Sequence, residues 1–184
     1  MNDAVHDAME VFQTHGYEGT SLNHLLEGTG LTRGSLYKAF TDKKTLFLMA
    51  LDRYTAVNTE GLRQRLASGS PKEAVRAALK AIAQASSLAS GERGCLVVGS
   101  TTEMASKDAE VKERLRRTFA RMEGFLREAI ERGQASGEIT SRNSPEALSR
   151  FLLCLIEGLG VLGKTGRTKK EMLEIVDIAM AALE

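Results

Sequence analysis

Apolar residues recur at the three- and four-residue spacing of a buried helical face along nearly all of this 184-residue chain. Leu22, Leu25 and Leu26 make one such face, opened by a capping hydroxyl at Thr20 or Ser21 and broken by Gly28 and Gly30. Thr32 caps a second short helix that turns Leu36 and Phe40 inward and leaves Arg33, Ser35 and Lys38 outside. A long helix is predicted from Asp42 to about Ala67, and Ser70-Pro71-Lys72-Glu73 reads as a capping box with proline at the first helical position. Gly91 and Gly94 punctuate before a short element, Cys95 to about Ala105. Asp108 to about Ala135 is strongly amphipathic, with Val111, Leu115, Phe119, Met122, Leu126 and Ala129 or Ile130 inward. Gly137 ends it, Ser144-Pro145 starts another helix, and Thr168-Lys169-Lys170-Glu171 is a second capping box. No segment has the two-residue period of a strand, so the expected class is all-α.

Two short helices on a glycine turn, Thr20 to Leu46, outline a helix-turn-helix whose second helix is shaped to enter a major groove. Val11-Phe12, Gly16-Tyr17, Thr20-Ser21-Leu22, Gly30-Leu31-Thr32 and Gly34-Ser35-Leu36-Tyr37, with Phe40, Lys43 and Leu46, resemble the amino-terminal domain of the TetR family of bacterial transcriptional regulators. The resemblance implies a DNA-binding domain over residues 1–48 and a helical ligand-binding and dimerisation domain over 49–184. It implies that the helix from Thr32 to Phe40 reads double-stranded operator DNA, with the Tyr37 hydroxyl and the Lys43 ammonium on phosphates. Thr20, Ser21, Thr32, Arg33, Gly34, Ser35 and Lys38 are the other contact candidates. Gly34 is small where a side chain would hold the helix off the DNA.

Charge changes this picture in one respect. The family usually carries a basic arm ahead of the first helix, yet Met1 to Met9 holds His6 and no Lys or Arg. Between Met1 and Tyr54 stand five basic and seven acidic residues, and the whole chain carries 25 Lys and Arg against 24 Asp and Glu. Nonspecific attraction to DNA is therefore expected to be weak, with affinity resting on two heads paired in a homodimer. Phe151 to Leu162 is apolar almost all round, and Gly158 and Gly160 allow another backbone to approach. By pattern alone this suits either a central bundle helix or an interface. The resemblance favours a dimer through helices at about 144–163 and 168–183. It also implies an inducer pocket in the body, for which Val98, Thr101, Thr102, Met104, Phe119, Met122, Phe125, Phe151 and Cys154 are the candidate lining. Glu103 or Glu157 would orient a polar group there. The reading is a repressor released from its operator by a small-molecule inducer of unknown identity.

Composition limits the alternatives. The longest apolar stretch, Phe151 to Ile156, is too short to span a bilayer and no amino-terminal apolar region marks export, so a cytoplasmic protein is expected. Cys95 and Cys154 make no disulfide framework or metal-ligand spacing, and no cofactor is expected. Cys95, following Gly94 at a helix start, is either a thiol sensitised by backbone amides as a redox sensor or a small core residue. His6, His15 and His24 form no triad or metal pattern, and the carboxylates alternate with Lys and Arg as solvated charge, so no enzyme is expected. One motif competes: Gly158 to Thr165, GLGVLGKT, fits the phosphate-binding loop G-x-x-x-x-G-K-[ST]. That loop needs a strand before it and a helix within a parallel sheet after it. Here helical features precede it, and these glycines are expected to end the helix. A nucleotide-binding protein, or a helical adaptor without DNA binding, are the alternative readings.

Overall fold

The computed structural model describes residues 2–87 and 94–184, and among these residues it is built of nine α-helices with no strand. They are α1 (Asn2–Gly19), α2 (Leu22–Thr29), α3 (Arg33–Ala39), α4 (Lys43–Leu66), α5 (Pro71–Ser86), α6 (Leu96–Met104), α7 (Ala109–Ala135), α8 (Pro145–Gly163) and α9 (Lys169–Ala181). Met1, and Gly91 with its expected punctuation, lie outside the described residues. The chain divides into two compact units. The first holds α1–α3, α4 as far as Val57, α6, and α7 as far as Arg116; the second holds the remainder of α4 and α7 with α5, α8 and α9. The first unit thus takes in residues on both sides of the boundary expected near residue 48.

In the first unit, Val5, Ala8 and Phe12 of α1 are buried at helical spacing and meet an aromatic cluster. The Phe12 and Phe47 rings lie edge to face at 5.1 Å, and Tyr17 meets Phe47 at 4.9 Å. Leu25, Leu36, Phe40, Leu46 and Leu51 complete this core, and α1 packs on both α2 and α6. Ser21, rather than Thr20, caps α2: its hydroxyl accepts from the His24 amide while the His24 ring accepts from the Ser21 amide. Gly30, at φ 65°, ends α2 in the left-handed conformation that glycine adopts without strain. Gly28 does not break the helix. It lies inside α2, where any Cβ would run into the Val11 side chain, so its smallness sets the approach of α1 and α2.

In the second unit, α5 packs on α8 and α9 around Leu62, Val75, Leu79, Leu126, Ile130, Leu152, Leu159, Met172 and Val176. The Ser70–Glu73 capping box does not form. Ser70 occupies the cap position, but its side chain makes no capping bond, and the Lys72 amide donates instead to Glu138 at 3.3 Å. Glu138, brought in by the fold, thus holds a first-turn amide that the box itself would leave open, and the Glu73 carboxylate stands beside Arg76. The Thr168–Glu171 box does form, and the Thr168 amide and hydroxyl, with the Arg167 guanidinium, lower the Glu171 carboxyl to about 2. Gly158 and Gly160 lie within α8 rather than ending it. Gly163, the last residue of α8, is where the helix meets α5: a Cβ there would lie 2.5 Å from the Ser86 carbonyl oxygen. No described helix is long and apolar enough to cross a membrane.

Candidate nucleic-acid interface

The face that could meet DNA is built on the shortest of the described helices. α3 has seven residues and would not hold as an isolated helix, so its stability comes from its ends and its buried side. Thr32 accepts the Ser35 amide at 3.2 Å, Phe40 donates its amide to Leu36, and Leu36 and Phe40 are each 2 % exposed. That anchoring turns Arg33, Gly34, Tyr37 and Lys38 outward together. Tyr37 is 48 % exposed although it is a large aromatic residue, and the Arg33 guanidinium lies 5.9 Å from the centre of its ring. No atom lies within 4 Å of where a Gly34 Cβ would stand, so nothing within the described residues requires a glycine there.

The remaining candidates divide. Thr32 and Ser35 are exposed, with their hydroxyls bonded to each other at 3.0 Å in the cap, and Ser21 is exposed at the start of α2. Thr20 stands behind the surface: it is 2 % exposed and its hydroxyl donates to the Gly16 carbonyl. Lys43 is half-buried at the start of α4, donating to the Thr20 carbonyl at 2.9 Å with its ammonium 4.4 Å from the Tyr17 ring centre. Lys44 pairs with Asp108 at 2.6 Å, which raises its pKa. Asp42 caps α4 by accepting the Thr45 amide, which with the Thr45 hydroxyl lowers its pKa. Two of the cations counted in the sequence are thus engaged inside the unit, and Arg33 and Lys38 carry the positive charge of the α3 face.

Beside this face, Asp7, Glu10, Thr14, His15, His24 and Glu27 line a cleft between α1 and α2, with the two imidazoles stacked at 4.2 Å. No group of three or more ligating side chains among the described residues is placed to hold a metal.

The candidate inducer residues fall in both units. In the first, Met104 is buried, Val98 and Thr101 are half-buried, and Thr102 is exposed with its hydroxyl on backbone carbonyls of α6. In the second, Met122 is buried, Phe119 and Phe125 are half-buried, and Phe151 and Cys154 are exposed. The exposure of these last two follows from the side of α8 that the core takes. Leu152, Ile156 and Leu159 take the core side and leave Phe151, Cys154 and Val161 facing solvent. Ile178 on α9 is 76 % exposed. Glu157 is half-buried in α8, and burial pushes its carboxyl up to about 7. Cys95 is half-buried and caps α6 without its side chain bonding the helix.

The phosphate-loop motif is not a loop. Gly158 to Gly163 are helical, the Thr165 hydroxyl donates to the Leu162 carbonyl, and Gly163 is filled by the Ser86 backbone. The amides a phosphate would need are inside α8, so the nucleotide reading does not stand.

Two capped short helices, anchored by Leu36 and Phe40 and presenting Arg33, Tyr37 and Lys38, define a helix-turn-helix protein, a DNA-binding transcriptional regulator. The family model for bacterial regulatory proteins of the tetR family matches residues 5–50, and that for the tetracyclin repressor-like C-terminal domain matches residues 71–178. The chain is 30% identical over 176 residues to the HTH-type transcriptional repressor ComR of Escherichia coli (strain K12), covering 94% of this chain and 83% of that protein. It is 30% identical over 182 residues to the HTH-type transcriptional regulator YezE of Bacillus subtilis (strain 168), covering 98% and 94%. Among solved structures, a cysteine mutant of the TetR family regulator CifR complexed with 26-bp double-strand operator DNA superposes with a TM-score of 0.86. It has 30% identity and covers 99% of this chain and 95% of that one. The chain belongs to the TetR family of transcriptional regulators, and the adaptor reading, in which DNA binding was lost, finds no support.

Proposed function

We propose that this protein is a homodimeric repressor that occludes promoter DNA until a small apolar molecule releases it. The observation that carries the reading is the α3 face: Leu36 and Phe40 fix a helix whose outer side offers two cations, an exposed phenol and a glycine with open space around it. Arg33 and Lys38 suit base edges or phosphates, Tyr37 suits a phosphate, and Gly34 permits close approach. The description of ComR as a repressor supports the direction of control, and the operator complex of CifR supports DNA as the partner.

Dimerisation is assigned to α8 and α9, whose exposed Phe151, Val161 and Ile178 are larger apolar groups than a solvated helix needs. The inducer is assigned to apolar residues of the second unit, with Phe119, Met122 and Phe125 as lining, and the protein to the cytoplasm. Ligand binding would favour one arrangement of the two heads, and α4 would carry the change.

Fluorescence anisotropy across a salt series, comparing the duplex upstream of the protein's own coding region with a shuffled duplex, tests the reading. Preference for the upstream duplex, weakened about tenfold by Tyr37→Phe, is the expected result. Equal binding of the two duplexes at every salt concentration would refute it.

A further inference from the structure

The first helix is interrupted. Gly16, at φ 71° and ψ 179°, leaves the helical conformation, so the turn that follows starts again with amides that have no carbonyl one turn back. Two of those amides are taken by a side chain distant in sequence. Glu103, near the end of α6, accepts the Tyr17 N–H on Oε2 at 2.7 Å and the Glu18 N–H on Oε1 at 2.9 Å. The carboxylate does what a capping residue does from within its own helix, with the added attraction of an anion for a helix start. Glycine at position 16 makes room for it, since a Cβ there would lie 2.9 Å from Oε2.

The turn so held carries the DNA-reading elements at both edges. The Tyr17 ring packs on Phe47 and under the Lys43 ammonium, and Lys43 donates to the carbonyl of Thr20, immediately before the Ser21 cap of α2. A second grip lies five residues past Glu103. Asp108 caps α7 through the Glu110 and Val111 amides and pairs with Lys44 at the start of α4. Lys107 approaches Glu18 at 3.5 Å. Residues 103–108 therefore hold the end of α1 and the start of α4, between which α2 and α3 lie in the chain.

We propose that Glu103 is a positioning residue for DNA binding: by capping the Tyr17–Glu18 turn it sets the start of α2 and α4. Asp108 is the second point of the same grip. The inference rests on the DNA-binding reading of the α3 face. Glu103→Gln is the discriminating variant, because an amide keeps one acceptor but turns an N–H toward the second backbone N–H.

The test uses the full-length protein. Backbone amide hydrogen exchange is measured residue by residue, together with affinity for the upstream duplex at a temperature where circular dichroism shows each variant folded. The expected result for E103Q is exchange at Tyr17 and Glu18 faster by about tenfold or more, with the α5 and α9 amides unmoved, and duplex affinity weaker by about five- to twentyfold. Unchanged exchange at those two amides would overturn the cap. Faster exchange with unchanged affinity would overturn the positioning role. If E103Q does not fold, Asp108→Asn carries the same affinity test through the second grip, and wild-type exchange, slow at Tyr17 and Glu18 against other helix-start amides, decides the cap. Wild-type protein that binds neither duplex at low salt would count against the DNA-binding reading, while the exchange measurement would still decide whether Glu103 caps the turn.

Discussion

The ammonium of Lys43 lies 4.4 Å from the centre of the Tyr17 ring and donates to the Thr20 carbonyl at 2.9 Å, so the start of α4 is fastened to the end of α1. A residue singled out for phosphate contact is thus also a fastening. Lys43→Met is expected to lower stability by about 1 kcal/mol as well as weaken DNA binding. A double-mutant cycle with Tyr17→Leu in urea unfolding should give a coupling of about 0.5–1 kcal/mol. Zero coupling would mean that the ring contact contributes nothing.

Gly34 separates fold from function cleanly. With no atom within 4 Å of its Cβ position, Gly34→Ala should leave the melting temperature unchanged or slightly raised, since alanine favours a helix. Affinity for the upstream duplex should nevertheless fall by about tenfold or more if the α3 face lies against DNA. Thermal melting and anisotropy on the same sample check both halves.

Gly163 gives the opposite pattern. Its Cβ would press on the Ser86 backbone carbonyl, which has no rotamer to relieve the overlap. Gly163→Ala should cost about 1–3 kcal/mol. The control Gly124→Ala, in α7 with nothing within 4 Å, should be neutral or stabilising by roughly 0.5–1 kcal/mol. Chemical denaturation of the two variants compares them directly.

Glu157 ties stability to pH. Burial raises its folded carboxyl to about 7 from an ordinary value of 4.5, so the folded state keeps a proton that the unfolded chain releases. Below about pH 4.5 both states are protonated and the group is neutral in effect. Between 4.5 and 7 the unfolded state is progressively favoured, and above 7 the full penalty remains. For a partly buried group that penalty is on the order of 1–3 kcal/mol. Urea unfolding at pH 5 and pH 8 should show Glu157→Gln more stable than the wild type at pH 8 but not at pH 5. Parallel curves for the two proteins would remove Glu157 as the cause.

The α8–α9 surface makes a prediction about assembly. Phe151 is 44 % and Val161 51 % exposed, so a charge at either position should not disturb the core. Phe151→Glu and Val161→Glu are expected to convert a dimer into a folded monomer in sedimentation velocity, and to weaken DNA binding because two linked heads bind more tightly than one.

What the sequence showed, and what it hid, follows from where each interaction is decided. The buried stripe of α7 and the Thr168–Glu171 box were legible because spacing and local hydrogen bonds settle them. The Ser70–Glu73 box had the same local pattern, yet Ser70 makes no side-chain cap bond, and the first-turn amide of Lys72 is held by Glu138, 66 residues away. Gly158 and Gly160 read as terminators because intrinsic propensity disfavours them, whereas packing of Leu152, Ile156 and Leu159 keeps α8 continuous through them. Gly163 matched a phosphate-loop motif but is small for the sake of the Ser86 carbonyl. The α3 face was readable as outward-pointing residues, but the burial of Thr20 and the commitment of Lys43 depend on Gly16 and Tyr17 folding back on them. Glu103 drew notice only as a possible ligand contact. Its partners lie 85 and 86 residues away, and no local pattern announces them.

Because the first unit is assembled from two stretches of chain, leaving at Val57 and resuming with α6, its recognition helices are not a detachable cassette. A chimaera that grafts the first fifty residues of a relative onto this body would inherit a foreign turn at position 16 and a foreign partner for position 103. Exchange of operator preference between relatives should therefore succeed only when residues 103–108 travel with the head, although they are encoded far downstream of it.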